Sequence, residues 1–221
     1  MSQQISHLIT NLIRTRLRLL LFFLILFLQA MTIAAIQKKL PVDAFLGDRH
    51  VSENSEPERY YRSERHYTYP NVELLNRDGN TTNLNQLLDS DQGVVLNFIY
   101  TGCTTLCPLM SANFAKIHSK VNLERKNLRL VSISIDPDHD TPQHLTDYWR
   151  RFGAGPQWQL LTGRREDVIA IQKAFQVYSG KKANHQSVIF LKGSPNGAWV
   201  RLDGYPSTAE IINEYKRLAN Q

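Results

Sequence analysis

A seven-residue apolar run, Val94-Val95-Leu96-Asn97-Phe98-Ile99-Tyr100, leads almost at once into Cys103 and Cys107, the only cysteines of the chain. A run of this kind, rich in β-branched and aromatic residues, predicts a strand buried on both faces. Leu109, Ala112, Phe114, Ile117 and Val121 then recur at near-helical spacing, which predicts a helix from about Pro108 to Val121. The chain must therefore build a core strand, a C-x-x-x-C loop and a helix as one continuous unit. With no third cysteine, each sulfur can pair within the chain only with the other. The unit holds a dithiol, a disulfide or a two-sulfur metal site.

The flanking sequence alternates strands and helices. Tyr69 to Leu75, followed by Asn76-Arg77-Asp78-Gly79-Asn80, predicts a hairpin turned at Asp-Gly, and Asn83 to Leu88 one short helical turn. Leu128 to Ile135 alternates with period two and predicts a strand. Asp136-Pro-Asp-His-Asp-Thr-Pro142 predicts a loop ending in a helix start, capped by Asp140 or Thr141 and running to about Phe152. Thr162 is expected to cap a further helix through Tyr178. Val188–Lys192 and Ala198–Leu202 read as strands around Ser194-Pro-Asn-Gly197, and Ser207-Thr-Ala-Glu210 is a capping box opening the last helix. This order predicts an α/β sandwich, a central mixed sheet flanked by helices, and a dithiol between the first core strand and its helix is where a thioredoxin-like fold keeps its chemistry.

Residues 1–36 differ from the rest. Arg14, Arg16 and Arg18 precede the unbroken run Leu19 to Leu28, with no acidic residue in the stretch. This predicts a signal peptide or an N-terminal membrane anchor, with the domain that follows exported. Residues 37–65 are polar, mixed in charge and without apolar period, and read as a tether, leaving 66–221 as a single domain. A bacterial inner membrane with the domain in the periplasm, or a periplasmic protein if the leader is cleaved, fits this leader better than a mitochondrial presequence. Half of the formal charge of +6 comes from the three leader arginines. What remains is an ordinary surface without a basic stripe interleaved with aromatics, so nucleic-acid binding is not expected.

Export into an oxidising compartment suggests a structural disulfide, but a bridge across three residues closes too small a loop to add much stability. Close pairs of this kind are more often catalytic or metal-binding. Pro108 disfavours helical geometry at Cys107 and suits a first helical turn, placing both sulfurs at a helix N-terminus, where backbone N–H groups favour thiolate. A metal would need further ligands, and the chain has seven histidines. Six lie in the leader, the tether region, helices or an acidic loop. His185 lies in Lys182-Ala-Asn-His-Gln-Ser187, directly before the strand Val188-Ile189-Phe190-Leu191. In a thioredoxin-like sheet that junction faces the dithiol, and two thiolates with one imidazole make a soft set suited to copper. The acidic stretch Asp136-x-Asp138-x-Asp140 is no calcium loop, since Thr141 stands where the turn requires Gly. Motifs for serine hydrolases, zinc proteases, haem attachment and phosphate binding are missing from the sequence.

Phe98-Ile-Tyr-Thr-Gly-Cys103-Thr-Thr-Leu-Cys107-Pro108 resembles the F-x-[FY]-T-x-C-x-x-x-C-P signature of the Sco/SenC family, membrane-tethered thioredoxin-like copper proteins of cytochrome oxidase assembly. Val131 to Pro142 resembles its V-S-x-D-P-x-x-D-T-P segment, Leu160-Leu-Thr-Gly163 its L-T-G, and His185-Gln-Ser187 its D-H-S/T, with Asn184 in place of Asp. No proline occurs between Lys181 and Ser187, where ordinary thioredoxin-like reductants carry a cis-Pro. The resemblance implies copper held by Cys103, Cys107 and His185 in a metallochaperone whose acceptor is a cytochrome c oxidase subunit or another copper acceptor. The alternative is a thiol-disulfide oxidoreductase in which Cys103 and Cys107 are the catalytic dithiol, His185 tunes them, and a thiol reductant is a further partner.

Overall fold

The computed structural model describes residues 59–122, 128–153 and 155–219, so the leader and the tether up to residue 58 lie outside the described residues. Eight strands, β1 (Tyr60–Arg65), β2 (Glu73–Asn76), β3 (Thr81–Asn83), β4 (Gly93–Ile99), β5 (Leu128–Ser134), β6 (Trp158–Thr162), β7 (Val188–Lys192) and β8 (Trp199–Gly204), form one sheet. Its order is β1-β8-β7-β4-β5-β6-β2-β3. The central β4, β5 and β6 run parallel and the outer pairings are antiparallel, giving the mixed sheet expected. Among the described residues five helices cover it: α1 (Leu84–Leu88), α2 (Leu106–Asn122), α3 (Pro142–Arg151), α4 (Arg165–Ala174) and α5 (Thr208–Ala219). None of the described helices is long and apolar enough to cross a membrane.

All seven residues of β4 are buried, which its apolar run, interrupted only by Asn97, requires. Its side chains alternate between two cores. Val95 and Ile99 join Phe114 and Ile117 of α2, Leu145 of α3 and Ile211 of α5. Val94, Leu96 and Phe98 join Leu84 and Leu88 of α1 and Ile171 of α4 on the other side. Each such side chain contributes about 1.5–3 kcal/mol when fully buried. Buried polar groups of the central strands form a chain: Trp158 Nε1 donates to Ser132 Oγ at 2.9 Å, and Ser132 Oγ donates to Asn97 Oδ1 at 2.5 Å.

The hairpin, the α1 turn and the capping box form as expected. Asn76 Oδ1 accepts from the amides of Asp78 and Asn80, and Asn83 Oδ1 from that of Gln86. In the box, Ser207 N donates to Glu210 Oε2 and Glu210 N to Ser207 Oγ.

Four boundaries differ from the sequence reading. Tyr60–Arg65, assigned to the tether, pair with β8 as an edge strand. The buried Glu214 of α5 accepts from Arg62 Nε at 2.9 Å and Tyr60 OH at 3.3 Å, which is how a charged strand holds its place. Residues 158–162 form β6, parallel to β5, where no strand was expected. Thr162 therefore ends a strand and caps no helix. Gly163 turns the chain beside Leu74, whose Cδ2 lies 2.5 Å from where a Cβ would stand, and α4 starts at Arg165. It ends at Ala174, well before Tyr178, because Gln176 adopts a left-handed φ of 56° and Val177 N closes onto Gln172 O at 2.9 Å. Finally, α2 starts at Leu106, so Cys107 is itself helical. Pro108 is tolerated because first-turn amides have no partner within the helix.

Candidate functional site

The cysteine loop leaves β4 at Tyr100 and turns at once, with Cys103 N donating to Tyr100 O at 3.2 Å. Its position is fixed from the next strand. Asp140, buried after β5, accepts from Thr101 N at 3.0 Å and Thr101 Oγ1 at 2.6 Å, and from Ser134 Oγ at 2.6 Å. The cap of α3 is Thr141, whose side chain accepts from His144 N. That leaves the Asp140 carboxylate free to hold the loop, a role the sequence did not reveal because its partners lie 39 and 6 residues away.

Cys103 and Cys107 are free thiols, 7% and 2% exposed, so the pair is more enclosed than an open transfer site would be. The amide of Cys107, in the first turn of α2, donates to Cys103 Sγ at 3.4 Å. Burial opposes ionisation of Cys103, but hydrogen bonds from the Cys107 amide and thiol, the Thr105 amide and the Tyr100 side chain outweigh it and bring its pKa down to about 7. Burial, together with the neighbouring Cys103, pushes Cys107 up to about 12. The dithiol is thus polarised, with Cys103 as the thiolate and Cys107 as the proton holder. Alkylation of the reduced chain with iodoacetamide, followed site by site by mass spectrometry, is expected to label Cys103 first, with a rate that rises through about pH 7. A midpoint near the ordinary thiol value, or first labelling at Cys107, would contradict this polarity.

His185 follows a 3-10 turn, Lys182–Asn184, and precedes β7. Its Nε2 lies 2.8 Å from Phe98 O in β4. A carbonyl only accepts, so Nε2 carries the proton and the neutral ring's lone pair is on Nδ1. Burial pushes the imidazole pKa down, opposed by the Phe98 hydrogen bond, and the ring is neutral at pH 7. The turn is latched to the end of β5, since Lys182 Nζ donates to Asp136 Oδ2 at 2.5 Å and His139 Nδ1 lies 3.0 Å from Asp136 Oδ1. Burial raises the Asp136 pKa, but Lys182 and His139 hold it below the usual carboxylate range.

The structure brings the two thiols together, with His185 in the segment just before β7, the strand that adjoins β4. Among the described residues, however, no three His, Cys, Asp or Glu side chains are gathered closely enough to hold a metal ion. A cavity of about 290 Å³ opens between Asp136, Arg165, Tyr178 and Lys182. Neither cysteine nor His185 lines it, so it is not where thiol chemistry takes place. The donor chemistry nevertheless fits a soft cation: a sulfur that ionises near neutral pH, a second thiol beside it and a neutral imidazole with Nδ1 free of the Phe98 bond. Asp136 and His139, by contrast, serve the latch.

A model of the SCO1/SenC family matches residues 62–220. The SCO1 protein homolog of Bacillus subtilis is 28% identical over 151 residues, covering 64% of this chain and 77% of that protein. A candidate copper-binding protein of Stutzerimonas stutzeri is 30% identical over 138 residues, covering 56% of this chain and 67% of that one. Among solved structures, BsSco matches with a TM-score of 0.61 and 26% identity, over 72% of this chain and 96% of its own. BsSco is described as carrying a disulfide switch and as a member of the Sco family of cytochrome c oxidase assembly proteins.

Proposed function

The chain belongs to the SCO1/SenC family, and on that premise we propose that it is a copper metallochaperone serving assembly of the copper centre of cytochrome c oxidase. Cys103 and Cys107 are its thiolate ligands and His185 its nitrogen ligand. Copper is the cargo, and an oxidase subunit or another copper acceptor receives it. The observation that carries this reading is the Cys107 amide on Cys103 Sγ. It supplies a thiolate near neutral pH, the form a soft ion requires. The descriptions of one relative as a candidate copper-binding protein and of BsSco as a cytochrome c oxidase assembly protein support the same reading.

The three donors are not gathered in advance, so binding draws the Lys182–His185 segment toward the thiols. Copper makes the second thiol a ligand by displacing its proton, and affinity therefore rises with pH. The polarised dithiol makes the exchange reversible, since reprotonation of Cys107 weakens its hold when an acceptor thiol approaches. The leader is proposed to place this domain on the outer face of a bacterial inner membrane, or in the periplasm once removed.

A second reading has its own observation, the asymmetry between the two thiols. As a thiol-disulfide oxidoreductase, the Cys103 thiolate attacks a partner disulfide and releases one partner thiolate. Cys107 then attacks the mixed disulfide and releases the other, leaving this chain oxidised and the partner reduced by two electrons. A thiol reductant would restore the dithiol.

The test is a Cu(I) titration of the full chain in its reduced and Cys103–Cys107 bridged forms, beside a copper-free exchange assay with a disulfide-bridged acceptor peptide. One tight equivalent in the reduced form and none in the bridged form is expected. Equal binding by both refutes thiolate ligation, and rapid exchange without tight copper binding favours the oxidoreductase.

A further inference from the structure

Met110 is the one methionine among the described residues, 4% exposed and one helical turn beyond Cys107 on α2. Residues three apart on a helix face the same way, so its thioether lies on the side of α2 that carries the Cys107 thiol. Cys103, Cys107 and Met110 belong to one buried cluster. Across from it stands Ser187, two residues after His185 at the start of β7, with its Oγ 3.1 Å from Met110 Sδ and 2.7 Å from Gly204 O. The hydroxyl has one proton for these two acceptors. The carbonyl is nearer and the stronger acceptor, whereas a thioether accepts weakly. The Met110 sulfur therefore accepts at most a weak, shared bond from Ser187 Oγ and keeps a second lone pair, between the helix that carries Cys107 and the segment that carries His185.

We propose that Met110 is a third sulfur donor to the copper ion, adding a soft thioether to the two thiolates and His185. The inference rests on the copper reading and deepens it by assigning the site a preference for the cuprous state. Thioethers suit Cu(I), which accepts soft donors in low and variable coordination numbers, and hold Cu(II) poorly. Leucine keeps the volume of the side chain and removes only the sulfur, so Met110→Leu separates ligation from packing.

The test loads the full chain, grown with selenomethionine, with Cu(I), and reads X-ray absorption at both the selenium and copper edges. Expected is a copper neighbour of selenium in the wild-type chain that disappears in Met110→Leu, which excludes Met1 and Met31 as its source. Met110→Leu should also lower Cu(I) affinity by roughly tenfold while changing Cu(II) affinity less. Copper bound with thiolate sulfur at the copper edge, but with no copper near selenium in the wild-type chain, overturns the proposal and leaves the chaperone reading standing. Copper bound without thiolate sulfur removes both. A copper neighbour of selenium that persists in Met110→Leu comes from Met1 or Met31 and likewise overturns the proposal, and thiolate scattering retained at the copper edge of the variant shows that its site still forms.

Discussion

Cys103→Ser is expected to lower the Cu(I) affinity of the reduced chain by at least about a hundredfold, since loss of a charged thiolate, unlike that of a neutral thioether, should exceed the 10–100-fold typical of an outer-shell change. Serine does not ionise near neutral pH and offers copper a hard oxygen in place of a soft sulfur. It still accepts a hydrogen bond, so the amide of Cys107 that meets Cys103 Sγ keeps a partner, and the fold should survive. The same change also ends fast alkylation near pH 7, because burial, the largest influence on the remaining thiol, Cys107, raises its pKa. Cys107→Ser should lose copper to a similar extent yet keep a reactive Cys103, whose amide hydrogen bonds remain. Competition against a chromophoric Cu(I) chelator measures the affinities. Cys103→Ser with unchanged affinity would remove this sulfur from the site.

Asp140→Ala is expected to destabilise the domain by about 2–4 kcal/mol, because it leaves three hydrogen-bond donors without their acceptor. Thr101 N, Thr101 Oγ1 and Ser134 Oγ all donate to this carboxylate. Each buried donor left without an acceptor costs about 1–3 kcal/mol, and hydroxyl rotation recovers part of that. Urea unfolding gives the difference, and for a domain of this size the melting temperature should fall by roughly 10 °C. Asp140→Asn keeps the shape and one acceptor oxygen and should lose less. Because Thr101 lies two residues before Cys103, the alanine variant should also broaden the pH profile of Cys103 alkylation. A variant within about 1 kcal/mol of wild type would show that the loop is held by other means.

The central part of this fold was legible because its signals are local. β4 is an apolar run broken only by Asn97, β5 alternates, the hairpin has its Asp-Gly, and α5 its capping box. What the sequence hid depends on distant partners. β1 carries Arg62, Glu64 and Arg65 and reads as tether, since the Glu214 that receives Arg62 lies 152 residues away. β6 is five residues long with Leu160 and Leu161 buried on opposite faces, so it lacks the alternation that would mark it.

The candidate site divides in the same way. Cys103, Cys107 and His185 stand out by residue type and by their place at strand ends. Asp140 read as a cap because a loop aspartate before Thr-Pro looks like one, while its partners Thr101 and Ser134 sit on other elements. The hydrogen bond that turns the His185 ring against Phe98 O joins residues 87 apart and has no local signal. Met110 carries no sequence signal of its own, and its contact with Ser187, 77 residues away, sets it apart only in the fold.

The central claim, that one copper ion is held by both thiols and His185, is tested most directly by X-ray absorption at the copper edge. The full reduced chain would be loaded with one equivalent of Cu(I), beside His185→Ala. The expected result is sulfur scattering from at least two atoms together with imidazole scattering, with the imidazole signal lost in His185→Ala while the sulfur signal persists. Imidazole scattering that survives His185→Ala, or a wild-type spectrum with fewer than two sulfurs, would contradict it.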